Sequence, residues 1–195
     1  MSQVYFESIR VADGKAFNLE YHQRRVDKSS DIKLHDVVKT LSLPQDGVYK
    51  LRISYTSDLV LRTDISKYLP KKIDTLKAVR DEHIDYSLKS EDRSALNRLN
   101  GLKGSCDDVL IIKNGMVTDT SFCNILFSDG SKWVTPSTPL LEGTCRARLI
   151  SEGKIFVEDI SITDLQKYKY YMLVNAMLDF DLQRTKMTSC ICLDV

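Results

Sequence analysis

The sequence predicts an α+β protein built as two lobes. Three observations carry this. Period-two alternation marks stretches such as VYKLRISYT, helical spacing marks stretches such as NLEYHQRRVDKSS, and two hairpin dipeptides, Asn114-Gly115 and Asp129-Gly130, punctuate a run of strands. At 195 residues the chain can form one large domain or two lobes sharing a core.

From the start, VYFESIRV, ADGK and AF read as strand, turn and strand. Asn18 is a candidate N-cap, and Leu19, His22 and Val26 recur at helical spacing through NLEYHQRRVDKSS. KLHDVVKTLSL fits a second short helix ended near Pro44. VYKLRISYT alternates Tyr49, Leu51, Ile53 and Tyr55 against polar neighbours, as a half-buried strand does, and DLVLRT and KIDTLKAV read as further strands. The first lobe is expected over residues 1–85.

The second lobe is expected over residues 86–195. DRSALNRLNG reads as a helix closed by Gly101. DDVLIIK, MVTD, FCNILF and KWVTP follow as an antiparallel meander. GTCRARLISEG reads as a helix, KIFVEDISI as a strand, TDLQKYK as a short helical turn and YYMLVN as a buried strand.

Composition narrows the function classes. Hydrophobic residues make up 43% and charged residues 28%, which is ordinary for a globular chain. Lys plus Arg number 28 against 27 acids, so a net charge of +1 gives no reason to expect nucleic acid or an anionic membrane as partner. Any anion site must be built locally. No apolar run is long enough for a membrane helix. The five cysteines are odd in number and scattered, which points to reduced thiols and a cytoplasmic setting. There is no CxxC or HExxH spacing, so no metal site is expected.

Three polar features sit where elements meet. Thr118, Asp119, Thr120 and Ser121 interrupt an apolar sheet region. In LLEGTCRARL, Gly143 permits close backbone approach, and the N–H groups after it open a helix suited to a phosphate. In HQRRV, His22 and Arg25 share a helix face.

FESIRVADGKAFNLEYHQRR, VTDTSFCN, TPSTPLLEGTCR and VNAML together resemble the class IV aminotransferases, which are fold-type IV pyridoxal-phosphate enzymes. Within that family the chain looks most like the 4-amino-4-deoxychorismate lyases, with D-amino-acid and branched-chain aminotransferases as near relatives. The resemblance implies a two-lobed D-amino-acid aminotransferase-like fold with a shortened N-terminal lobe, pyridoxal 5'-phosphate as cofactor, a small amino-bearing substrate and a homodimer. It places Asp119 against the pyridine nitrogen, where a carboxylate keeps the ring protonated as an electron sink. Relatives carry Glu there. It places Phe122 and Cys123 beside the cofactor, and gives the phosphate to Arg25 and to the N–H groups of Thr144 and Cys145. Cys145 stands where relatives often have a hydroxyl residue. Asn175 and Ala176 resemble a substrate-side stretch of the lyases.

Two lysines are candidates for the Schiff base. Lys103, in GLKG, leaves room for little more than one strand before Asp119. Lys89 leaves room for a helix and a strand, as the family has, and is the choice here. Three functions follow: a lyase releasing p-aminobenzoate and pyruvate in folate biosynthesis, a class IV transaminase of D-amino-acid or branched-chain type, or a non-catalytic descendant that binds the cofactor weakly or not at all.

Overall fold

The structure, a computed structural model, describes residues 3–193. The chain forms two compact units and passes between them three times. One unit runs to Pro70 and takes in Ser87–Asp92; the other comprises Lys71–Tyr86 and the chain from Arg93 onward.

The first unit is an antiparallel sheet of four strands in the order β2-β1-β3-β4. β1 (Tyr5–Ala12) turns through Asp13-Gly14 into the short β2 (Lys15–Ala16), and pairs along its whole length with β3 (Val48–Tyr55). β4 (Val60–Lys67) closes the other side. Alternation places Tyr5, Ile9 and Val11 with Leu51, Ile53 and Tyr55 in one core, joined by Val26 and Leu34 of two helices. These are α1 (Leu19–Val26) and α2 (Leu34–Lys39). Asn18 does not cap α1 through its side chain. It takes a left-handed conformation at φ 55°, and its carbonyl accepts the amides of Tyr21 and His22. Asn tolerates that region through its short polar side chain.

The second unit is a sheet in the order β10-β9-β8-β7-β6-β5-β13, with β11 pairing β8 and β12. β5 (Leu76–Arg80) runs parallel to β6 (Asp108–Lys113), and α3 (Ser94–Asn100) lies on the connection between them. β6 turns at Asn114-Gly115, both at positive φ, into β7 (Met116–Thr120). β8 (Asn124–Ser128) follows, then β9 (Trp133–Pro136), α4 (Thr144–Ser151), β10 (Phe156–Glu158) and β11 (Tyr170–Val174). TDLQK, the first five residues of TDLQKYK, lies in a 3-10 helix, Ile162–Lys167, and Tyr168 after it is extended. Two strands lie beyond the sequence expectation: β12 (Lys186–Met187) and β13 (Ile191–Cys192). α4 buries Cys145 and Leu149 against Leu126, Met172 and Val174, which fixes the helix over the sheet.

Candidate functional site

The polar break covers the last three residues of β7 and the start of the turn that follows it. Where the β6–β7 register shifts between Leu110 and Ile112, Thr118 Oγ1 donates to the Ile111 carbonyl at 2.7 Å. The Thr120 amide donates to the Cys123 carbonyl at 2.9 Å, and the Cys123 amide to Thr120 Oγ1 at 3.1 Å. Arg93 Nη2 donates to the Ser121 carbonyl at 2.8 Å. Buried backbone groups need such partners, so the small polar residues replace a sheet ladder that ends here. β7 and β8 pair only at Asp119 and Asn124.

Asp119 is buried, and both its oxygens have partners. Oδ1 accepts from Asn124 Nδ2 at 2.8 Å, and Oδ2 accepts from the Leu141 amide at 2.9 Å. Burial pushes its carboxyl up to about 6, against the pull of the Leu141 and Asn124 bonds and the Arg146 charge. The Asn124 amide reaches further: Nδ2 also donates to the Leu141 carbonyl at 2.9 Å. Its oxygen lies where a Gly143 side chain would begin, since a Cβ there would stand 1.9 Å from Asn124 Oδ1. Gly143 has φ −69°, so space and not backbone conformation demands glycine.

Gly143 opens α4, whose first amides lack intrahelical acceptors. Thr144 is buried and its Oγ1 has no hydrogen-bond partner. The thiol of Cys145 lies 3.8 Å from the Leu178 carbonyl and 3.6 Å from Asp179 Oδ1, and burial raises it to about 12. Arg146 anchors the helix start to β9, donating from Nε to Thr135 Oγ1 at 3.1 Å and from Nη2 to the Pro136 carbonyl at 2.8 Å.

Asn175 ties a third segment to this cluster. Its Oδ1 accepts the Met177 and Leu178 amides, making a turn that contains Ala176. Its Nδ2 lies 3.1 Å from Cys123 Sγ and 3.5 Å from the Phe122 carbonyl. Burial raises the Cys123 thiol further, which keeps it protonated and unreactive. Asp119, Phe122, Cys123, Thr144, Cys145, Asn175 and Ala176 thus belong to one connected set of turns within the second unit.

The first unit holds the other two residues. Arg25 is buried on α1 and donates to Glu7, from Nε to Oε1 at 2.8 Å and from Nη2 to Oε2 at 2.5 Å. His22 Nδ1 lies 2.5 Å from the same Oε2, and its Nε2 has no partner. Burial alone would raise Glu7, but Arg25 and His22 overcome it and hold the carboxyl at about 2. Lys89 lies outside any helix or strand, with its carbonyl accepting the Phe6 amide at 3.0 Å and its Nζ 4.6 Å from the Phe6 ring centre. The rival Lys103 belongs to the second unit, where its Nζ donates to the Asp107 carbonyl at 3.3 Å.

Sequence reasoning passed over Glu7, Asn124 and Arg146. Glu7 did leave a signal, because it occupies a core-facing place in the alternation Tyr5, Glu7, Ile9, Val11. A carboxylate in that row needs a buried cationic partner.

The sequence profile described as "Amino-transferase class IV" matches residues 92–180. A Haemophilus influenzae protein, named only as uncharacterized, is 37% identical over 182 residues, covering 88% of this chain and 96% of its own. A Haemophilus somnus crystal structure, provisionally named a 4-amino-4-deoxychorismate lyase, is 35% identical with a TM-score of 0.85, covering 92% of this chain and 99% of its own. This chain spans nearly the whole length of both relatives. A Mycobacterium tuberculosis protein named a hypothetical aminotransferase, solved in its pyridoxal-phosphate-bound form, shares the fold at 16% identity and a TM-score of 0.72, covering 91% of this chain and 78% of its own. The chain belongs to the class IV amino-transferase family.

Proposed function

We propose that the protein is a pyridoxal-phosphate enzyme acting on a small amino-bearing substrate, with 4-amino-4-deoxychorismate lyase chemistry as the preferred reading. The observation that carries it is the pairing, within one set of turns, of a buried acid, Asp119, with an unpartnered buried hydroxyl, Thr144 Oγ1. The two suit opposite ends of this cofactor. An acid meets the ring nitrogen, and a hydroxyl beside free helix amides meets a phosphate.

The cofactor, when bound, supplies an electron sink for charge released at the substrate Cα. Asp119 holds a proton on the ring nitrogen, which keeps that sink effective. Thr144 and the amides of Thr144 and Cys145 hold the phosphate, with Arg25 as a charged partner. Lys89 would hold the cofactor covalently, and its amine would serve as the base for the proton on the substrate Cα. Phe122 and Cys123 bring backbone to the cofactor, and Asn175 and Ala176 border the substrate. The lyase reading is supported by the name given to the Haemophilus somnus relative. The transaminase reading is supported by the description of the family profile. A homodimer in the cytoplasm, working in folate biosynthesis, completes the proposal.

The test is direct. Pyridoxal phosphate added to the purified protein should give a visible absorption band that the free cofactor lacks. Release of p-aminobenzoate and pyruvate from 4-amino-4-deoxychorismate supports the lyase reading. Formation of a 2-oxo acid from an amino acid, with no p-aminobenzoate, replaces it with the transaminase.

A further inference from the structure

Asn124 links three segments of the site through its side-chain amide. Its amide nitrogen bonds the acid of β7 on one side and the Leu141 carbonyl on the other, at 2.8 and 2.9 Å. The Leu141 amide returns a bond to the second oxygen of the same acid at 2.9 Å. The Asn124 oxygen fills the space that a side chain on Gly143 would need. One buried amide thus ties β7, the 140–143 turn and the first residue before α4 into a closed ring of contacts.

We propose that Asn124 is a positioning residue that locks Asp119 to the turn opening α4, so that the ring-nitrogen and phosphate ends of the cofactor meet one rigid element. This rests on the proposed cofactor role of Asp119 and Thr144, and adds what couples them. An isolated acid on β7 could rotate freely about its side-chain bonds when ionised. Here rotation would break the Asn124 bond and the Leu141 bond together, so the carboxylate direction is set before the cofactor arrives. A site whose charged groups are already oriented does not have to reorganise as charge develops.

The same ring explains why glycine stands at 143. If Asn124 is what forbids a side chain there, removing Asn124 must relieve the prohibition. It must also alter the ionisation of Asp119, because a donor to the charged form is lost. Arg146, on α4, acts on this carboxyl, Glu142 acts on Arg146, and the Asp119 charge acts in turn on the Cys123 thiol. None of these is removed by a substitution at 124.

The experiment uses the cofactor-free protein. The titration of the Asp119 carboxyl is followed by carbon NMR in the parent, Asn124→Ala and Asn124→Leu, with Asp119→Asn to assign the signal. The midpoint should rise by about one pH unit or more in both Asn124 variants. Gly143→Ala should lower the melting temperature of the parent but have little further effect in the Asn124→Ala background. An unchanged midpoint, or an equal cost of Gly143→Ala in both backgrounds, overturns the proposal. Should the Asn124 variants not fold, the parent still decides: its Asn124 side-chain amide protons must shift with the Asp119 midpoint, and protons that ignore that titration overturn the proposal. Pyridoxal-phosphate titration of the parent stands apart from all of these. Failure of the cofactor to bind there counts against the proposed function, while the coupling is judged on the cofactor-free protein alone.

Discussion

Arg25 grips Glu7 through two hydrogen bonds, and His22, one turn earlier on the same helix face, meets the same carboxylate. All three side chains are buried, with Glu7 and His22 at 0% exposure. The cluster joins α1 to β1 beside an apolar core that includes Ile9, Val11 and Val26. Removing one partner leaves the other charged and buried. Arg25→Ala should therefore destabilise the first unit by about 3–5 kcal/mol. Urea unfolding of parent and variant measures this, and a loss under about 1 kcal/mol would mean Arg25 is only an ordinary helix residue.

The same carboxylate gives a pH signature. Glu7 is held at about 2, below its ordinary 4.5, so its stabilising effect is complete above 4.5 and is lost as pH falls through 2. Melting temperatures of the parent should fall more steeply than those of Glu7→Gln across that window. Parallel curves would show that Glu7 ionises in the folded chain as it does in the unfolded one.

Thr144→Val should separate binding from stability. The unpartnered buried hydroxyl is a desolvated group with nothing to bond, so replacing it with a methyl should leave the cofactor-free protein as stable or more stable. Pyridoxal-phosphate affinity should drop by about 1 kcal/mol, the worth of one hydrogen bond. Calorimetric titration and thermal melts read the two effects. Unchanged affinity removes Thr144 from the phosphate site.

Asp119 behaves oppositely to Glu7. Its carboxyl is raised from 3.8 to about 6, so ionising it costs stability: the contribution is present below 3.8 and is lost as pH rises through 6. Relative to Asp119→Asn, the cofactor-free parent should lose melting temperature between those values. With cofactor, Asp119→Asn should turn over slower by orders of magnitude, since an amide cannot hold the ring nitrogen protonated. Turnover equal to the parent's would return Asp119 to the role of a turn residue.

Much of this was legible in the sequence because the relevant signals are local. β1, β3 and β6 announce themselves by alternation or an apolar run, and Asn114-Gly115 forces the β6–β7 turn. The neighbours of β5 were not legible. Its parallel partner β6 lies across a crossover of nearly thirty residues, and no local pattern specifies such a pairing. β12 and β13 have two residues each, too few to show a period. At the site, Asp119 stood out because it breaks an apolar run, whereas Asn124 sits inside FCNILF and reads as a plain strand residue. Its importance comes from three partners, at 119, 141 and 143, that only folding assembles. The unpartnered hydroxyl also proves to be Thr144, one residue before the position where Cys145 drew attention as a lost donor.

The central claim is that Lys89 carries the cofactor, and one measurement tests it most directly. Pyridoxal phosphate is added to the parent, Lys89→Ala and Lys103→Ala, and the visible absorption band is recorded alongside a melting curve for each. Lys89→Ala should lose the band while melting near the parent, because its side chain is partly exposed and lies over Phe6 without filling the core. Lys103→Ala should keep the band. A band that survives in Lys89→Ala and vanishes in Lys103→Ala would contradict the assignment, and no band in the parent would contradict the enzyme reading itself.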